Sequence, residues 1–270
     1  MAKLQEVLQY MQQLAPETLA EDWDNVGLLV DCGADVTSIL VALDITDEVV
    51  AEAEYQGCQL IVSHHPVIFD PMKKLGRQDV VFRMVKKNIS AICMHTNLDA
   101  APGGVNDILC ALFGIDNART FGGLGRVGSV RTTNVEQIAG ICRDTLGAHV
   151  KAVDCGKAVN TLAVVGGAGG SMLQDAIEAG ADCLLTGEAN HHVAIDARRL
   201  GISLVVAGHY ATEFPIVPVV ADKLKKEGKC AHQLFCKEDW NLKRWLWYIR
   251  SQLNYYRKTA RYYGNKGLRD

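Results

Sequence analysis

Three short stretches of this 270-residue chain place imidazole and carboxylate groups directly after apolar runs. Leu60-Ile-Val-Ser63 runs into His64-His65-Pro66, an apolar run ending at Met94 runs into His95-Thr-Asn-Leu-Asp99, and Val205-Val-Ala-Gly208 runs into His209-Tyr-Ala-Thr-Glu213. Apolar runs this short read as buried strands, and in open α/β sheets ligands bind outside the strand carboxyl ends. His209 and Glu213, at i and i+4, share one helical face. A histidine alone is more often a hydrogen-bonded structural residue than a ligand. An adjacent pair at one strand terminus together with His-x-x-x-Glu at another points to metal. Nitrogen and oxygen donors without thiolate suit zinc, iron, manganese, nickel or cobalt. These groups exceed what one tetrahedral ion takes while keeping water positions open, whereas two ions sharing a bridging carboxylate would use them. Neighbouring side chains on a strand point to opposite faces. His64 and His65 therefore serve one cleft only if the strand ends at Ser63 and the Pro66 turn bends the backbone.

The elements that must position these groups follow from the hydrophobic pattern. Leu4, Val7, Leu8, Met11 and Leu14 recur at helical spacing until Pro16 stops them. Strands are expected at 26–30, 38–43, 59–63 and 89–94, with helices at 48–55, 79–87 and 105–113 between and after them. A glycine-rich stretch from Phe121 to Gly128 marks an expected boundary. Beyond it the pattern gives helices at 134–146, 171–179, 190–199 and 212–226, and strands near 149–153, 161–165, 182–186 and 203–207. Strands alternating with helices imply an α/β fold with largely parallel sheets, covered on both faces, in two linked lobes. The expected division is 1–126, 127–203, 204–236 and a tail over 237–270.

The His64-His65-Pro66 strand end, the stretch from His95 through Asp99 to Asp107, and Gly208-His-Tyr-Ala-Thr-Glu213 resemble the Nif-three-like dinuclear metal-centre family. Its bacterial members are commonly named GTP cyclohydrolase 1 type 2 homologs. Asp22-Trp-Asp-Asn-Val-Gly-Leu-Leu29 and Thr186-Gly-Glu-Ala-Asn-His-His192 are similar to its other hallmarks. The resemblance covers roughly residues 1–236. It implies two α/β lobes, the first completed by the chain's return over 204–236. It also implies a ring-shaped homohexamer, and two divalent metal ions per subunit held by His64, His65, Asp99, His209 and Glu213. His95, left outside that ligand set, is then the candidate catalytic residue, orienting a water or moving its proton. A carboxylate, Asp99 or Glu213, is the expected bridge, because it offers two oxygens where a neutral imidazole offers one lone pair.

Two readings of function stand side by side. One is a metal-dependent hydrolase of a nucleotide-like or phosphorylated small molecule; the other is a non-catalytic metal-binding or scaffold protein. A third, nucleic-acid association, rests on the tail alone. The last 34 residues, from Lys237, carry nine Lys/Arg against three Asp/Glu and eight of the chain's twelve Trp and Tyr. With a net charge of −3 overall, the preceding 236 residues are near −9, which disfavours general nucleic-acid binding. No run of 18 or more apolar residues suggests a membrane span. The amino terminus lacks the apolar centre of a signal peptide, so a cytoplasmic location is expected. Nine scattered cysteines without C-x-x-C spacing are expected to be small buried hydrophobes in a reducing compartment. Val165-Gly-Gly-Ala-Gly-Gly-Ser171 is either a tight strand-to-helix turn or a loop offering backbone N–H groups to an anion, without the Gly-Lys-Ser/Thr of a P-loop. His191 is a candidate for contacting substrate or supporting the site, against a plain position on a helix surface.

Overall fold

The computed structural model describes residues 3–228 and the backbone of 231–233. The basic aromatic tail from Lys237, with Cys230 and Cys236, lies outside the described residues. In chain order, α1 (Leu4–Leu14) and a 3-10 turn (Glu17–Leu19) lead to β1 (Gly27–Val30), β2 (Ile39–Ala42), α2 (Asp47–Tyr55), β3 (Leu60–Ser63), α3 (Val80–Lys86), β4 (Ser90–Cys93) and α4 (Thr96–Ala100). Next come α5 (Val105–Phe113), β5 (Asp116–Phe121), β6 (Gly125–Thr133), α6 (Val135–Leu146), β7 (Lys151–Val153), β8 (Val159–Val165), α7 (Leu173–Glu178), β9 (Cys183–Thr186), α8 (His191–Leu200), β10 (Ser203–Val206) and α9 (His209–Glu213). The described residues end with α10 (Ile216–Lys226) and β11 (Ala231–Gln233). Two compact units result: one comprises residues up to Gly104 and the returning segment from Phe214, the other Val105–Glu213.

The first unit holds a five-stranded sheet in the order β1-β4-β3-β2-β11, parallel throughout except at β1. Every residue of β2, β3 and β4 is buried, as a sheet covered on both faces requires. Leu40, Ala42, Ile61 and Ala91 pack on one face against Val49 and Val50 of α2 and Val81 and Met84 of α3. The alternate residues Val41 and Val62 meet Met11, Leu98, Ile216 and Val220 on the other. Thr46 caps α2 by accepting a hydrogen bond from the Val49 amide at 3.3 Å.

The second unit holds a six-stranded sheet, β5-β6-β8-β9-β10-β7, whose centre β8-β9-β10 is parallel and whose flanking strands are antiparallel. Leu162, Val164, Cys183, Leu185 and Val205 face α5 and α6 through Leu109, Phe113, Ile138 and Cys142. Ala163, Val165, Leu184 and Leu204 face α7 and α8 through Leu173, Ala176, Val193 and Ala197. Asn134 caps α6, and Gly147, in the left-handed region at φ 68°, ends it.

The glycine-rich stretch is not a linker. It is the turn of the β5–β6 hairpin, with Gly122 and Gly123 at φ 52° and 85° between the paired residues Phe121 and Gly125. Because β6 pairs with β8, residues from Val105 onward build the second unit, and the boundary expected at 126/127 falls instead at Gly104/Val105. The return expected at 204 likewise moves to Phe214, because β10 pairs with β9 and β7 and so stays in the second sheet. The helix expected over 212–226 is two helices, α9 and α10, with Pro215 between them.

Candidate metal centre

β3 and β4 lie side by side, parallel and in register, with Ser63 opposite Cys93. Their carboxyl ends therefore finish level, and the residues that follow converge. The strand does end at Ser63, whose hydroxyl donates to the His65 carbonyl at 2.8 Å and holds the bend before Pro66. As that bend requires, the imidazoles of His64 and His65 stand on the same side, ring centroids 5.0 Å apart.

Each ring is braced through Nδ1. His64 Nδ1 donates to the Met94 carbonyl at 2.9 Å, His65 Nδ1 to Asp44 Oδ1 at 2.7 Å, and His95 Nδ1 to Asp24 Oδ1 at 2.8 Å. A carbonyl or carboxylate oxygen can only accept, so each bond places the proton on Nδ1 and leaves the lone pair of a neutral imidazole on Nε2. Metal-ligating histidines characteristically show this arrangement. One ring nitrogen from each of His64, His65 and His95 lies within 4.8 Å of the other two. Asp99, one helical turn beyond His95, brings Oδ1 to 3.7 Å from His64 Nε2, and both side chains are buried.

His95, expected outside the ligand set as the residue that orients a water or moves its proton, has its ring beside those of His64 and His65. It caps α4 with φ −105° and ψ −110°, and its ring comes within 5.3 Å of His64 and 5.6 Å of His65, centroid to centroid. The backbone bend between β4 and α4 turns the side chain back toward the strand end. Asp24 holds it there. Burial alone would raise the Asp24 carboxyl, but hydrogen bonds from the His95 ring and from the Thr96 side chain and amide outweigh it, bringing it down to about 2.

In the second unit, the loops after β8, β9 and β10 meet at the carboxyl edge of the parallel strands. His209 Nε2 is 3.1 Å from Glu213 Oε2, and its Nδ1 is 3.3 Å from Glu188 Oε1. The i, i+4 pair thus shares one face of α9, and Glu188 lies within ion-pair reach of the other ring nitrogen of His209. Gly167, at φ +60°, passes so close that an added Cβ would sit 2.1 Å from Glu213 Oε1 and 3.1 Å from His209 Nε2. Only glycine lets the backbone approach a buried carboxylate in this way.

The donor set fits divalent ions of the borderline class: imidazole nitrogens with fixed tautomers and buried carboxylates, without thiolate. Among the described residues, Cys58, Cys93, Cys110, Cys142 and Cys183 are buried, and burial pushes the thiols of Cys110 and Cys142 up to about 12, against thiolate chemistry. The sequence reading assigned no role to the bracing groups Asp24, Asp44, Glu188 and the Met94 carbonyl. Asp24 and Glu188 lie inside two hallmark stretches, and Asp44 follows the apolar strand β2. The strand-end rule that singled out His64 therefore also applies to Asp44.

A family model described as Duf34/NIF3 (NGG1p interacting factor 3) matches residues 2–239. The "GTP cyclohydrolase 1 type 2 homolog" of Clostridium perfringens is 32% identical over 242 residues, covering 83% of this chain and 92% of that protein. The "GTP cyclohydrolase 1 type 2" of Helicobacter pylori is 34% identical over 235 residues, with 83% and 92% covered. Among solved structures, Staphylococcus aureus hypothetical protein SA1388 superposes with a TM-score of 0.80 at 26% identity, covering 88% of this chain and 98% of that one. Reduced HcgD from Methanocaldococcus jannaschii does so at 0.77 and 29%, with 86% and 98% covered. Motifs, fold and near-complete coverage agree, and this chain belongs to the Duf34/NIF3 family.

Proposed function

We propose that the protein is a metal-dependent hydrolase acting on a nucleotide-like or phosphorylated small molecule. In this reading two divalent ions are held by His64, His65, Asp99, His209 and Glu213. The observation that carries it is the bracing of the imidazoles: Nδ1 of His64 and of His65 donates to an oxygen acceptor, and Nδ1 of His209 lies 3.3 Å from Glu188 Oε1. Ions held there would supply Lewis acidity and a water acidified toward neutral pH. Asp99 and Glu213 each offer two oxygens that would help to hold the ions. Asp44 keeps His65 in the binding tautomer, and Glu188 lies 3.3 Å from His209 Nδ1. His95, held by the ionised Asp24, keeps Nε2 as a proton acceptor facing His64 and His65, the arrangement a general base needs. The names of the relatives support hydrolytic opening of a purine ring as one reaction of this class. Homohexameric assembly belongs to the same reading and is tested by light scattering of the full chain.

Metal analysis followed by turnover assays with GTP, other nucleotides and phosphodiesters tests the proposal. Stoichiometric metal with turnover of one of these supports it; stoichiometric metal with turnover of none favours the non-catalytic metal-binding reading. The near approach of the His95 ring nitrogen to those of His64 and His65 favours a second role for it, as a ligand. His95→Ala separates the two: a proton-moving residue leaves metal content unchanged and removes most turnover, whereas a ligand takes metal with it.

A further inference from the structure

The second unit also contains a cavity of about 750 Å³, within the range of small-molecule sites. Its position follows from the topology. β7 is antiparallel to β10, with Lys151 opposite Val206, so the residues before Lys151 lie beside the carboxyl end of β10, from which His209 departs. α8 starts just after the carboxyl end of β9, placing His191 and His192 at the same edge. His149, Lys151, Ser171, His191, His192 and Glu188 all line this cavity. The lining thus gathers one ammonium, three imidazoles and a hydroxyl around a single carboxylate. That carboxylate, Glu188, is the one turned toward His209 at 3.3 Å, and Gly208, the residue before His209, lines the cavity as well.

We infer that this cavity binds the linked phosphoryl groups of a small molecule such as a nucleoside triphosphate. Phosphoryl oxygens only accept hydrogen bonds, and this lining is rich in nitrogen donors. Lys151 supplies the fixed positive charge, and the imidazoles supply N–H groups at any protonation state. Asn190, the residue before α8, places no side-chain cap on the helix, so the His191 and His192 amides add donors to a wall that already holds Lys151. Glu188 sets the polarity: phosphoryl groups avoid it and sit toward Lys151, which leaves the uncharged portion of the ligand nearest His209. That this ligand is the substrate rests on the hydrolase reading; that it binds here does not.

Isothermal titration of the full-length, metal-containing protein with inorganic triphosphate tests the inference. Lys151→Glu and the double variant His191→Ala/His192→Ala should each weaken binding at least tenfold, with metal content and melting temperature unchanged, since these residues are exposed. Lys151→Gln should show a smaller loss, reporting charge rather than folding. Absence of triphosphate binding by the wild type would overturn the inference, as would equal binding by all variants, the result expected if the metal or the tail held the anion. Lys151-dependent binding with no turnover of any nucleotide would sink the hydrolase reading and leave the cavity standing. Nucleotide turnover indifferent to Lys151→Glu would overturn the assignment of this cavity's ligand as the substrate.

Discussion

A wholly buried brace in the first unit contrasts with an exposed one in the second, although Asp44, against His65, is itself 43% exposed. In the first, His64 is 2% exposed, and the side chain of Asp24, which braces His95, is wholly buried. In the second, the side chain of His209 is 33% exposed, and that of Glu188, which braces it, is 60% exposed. One set grows from strand ends locked into a parallel sheet; the other pair rides on a helix of five residues. A brace in a dry environment acts at low dielectric and holds its partner strongly, whereas water competes for an exposed one. His64 and His95 are therefore held preformed, whereas His65 against Asp44 and His209 against Glu188 depend more on the ligand that occupies them.

Four substitutions test that contrast, from the largest expected effect to the smallest. Glu213→Gln keeps size while removing a buried ligand charge, so metal content measured by plasma emission should fall by more than the 10–100-fold typical of losing a bracing partner. The fold should persist in circular dichroism, because the residue ends α9 and belongs to neither apolar core of its unit. A fully metallated variant would remove Glu213 from the ligand set.

Asp24→Asn exchanges an acceptor for a donor facing the Thr96 amide, and should cost about 1–3 kcal/mol in urea unfolding as well as about tenfold or more in metal affinity. Its carboxyl lies at about 2 in the folded chain against an ordinary 3.8, so its stabilisation is present above the higher value and lost as pH falls through the lower. The stability gap between wild type and Asp24→Asn should accordingly shrink as pH falls from about 4 to about 2. A gap that stays constant over that window would contradict the assignment.

Gly167→Ala forces a Cβ against Glu213 at a left-handed φ, which should cost about 1–2 kcal/mol and up to about tenfold in metal affinity. Glu188→Gln should cost the least, under about tenfold, because solvent already screens that carboxylate. Equal losses from Asp24→Asn and Glu188→Gln would break the contrast between the two units.

Much of this was legible in the chain. Short apolar runs marked the strands, and the residues just beyond them carried the candidate ligands, because strand periodicity and strand ends are local properties. The β5–β6 hairpin was not legible: five of the six residues of β5 are exposed, so no apolar run announces it, and its glycine turn read as a boundary.

The sequence by itself determined the donor chemistry, since imidazoles and carboxylates follow apolar runs at three places and no cysteine pair competes with them. Only the tertiary structure decided which groups brace the imidazoles. Asp24 lies 71 positions from His95, and the Met94 carbonyl 30 from His64. No local pattern relates residues that far apart. In-register parallel pairing of β2, β3 and β4 aligns their carboxyl ends, and a hydrogen-bond acceptor becomes a brace only when that alignment brings it to a ring nitrogen.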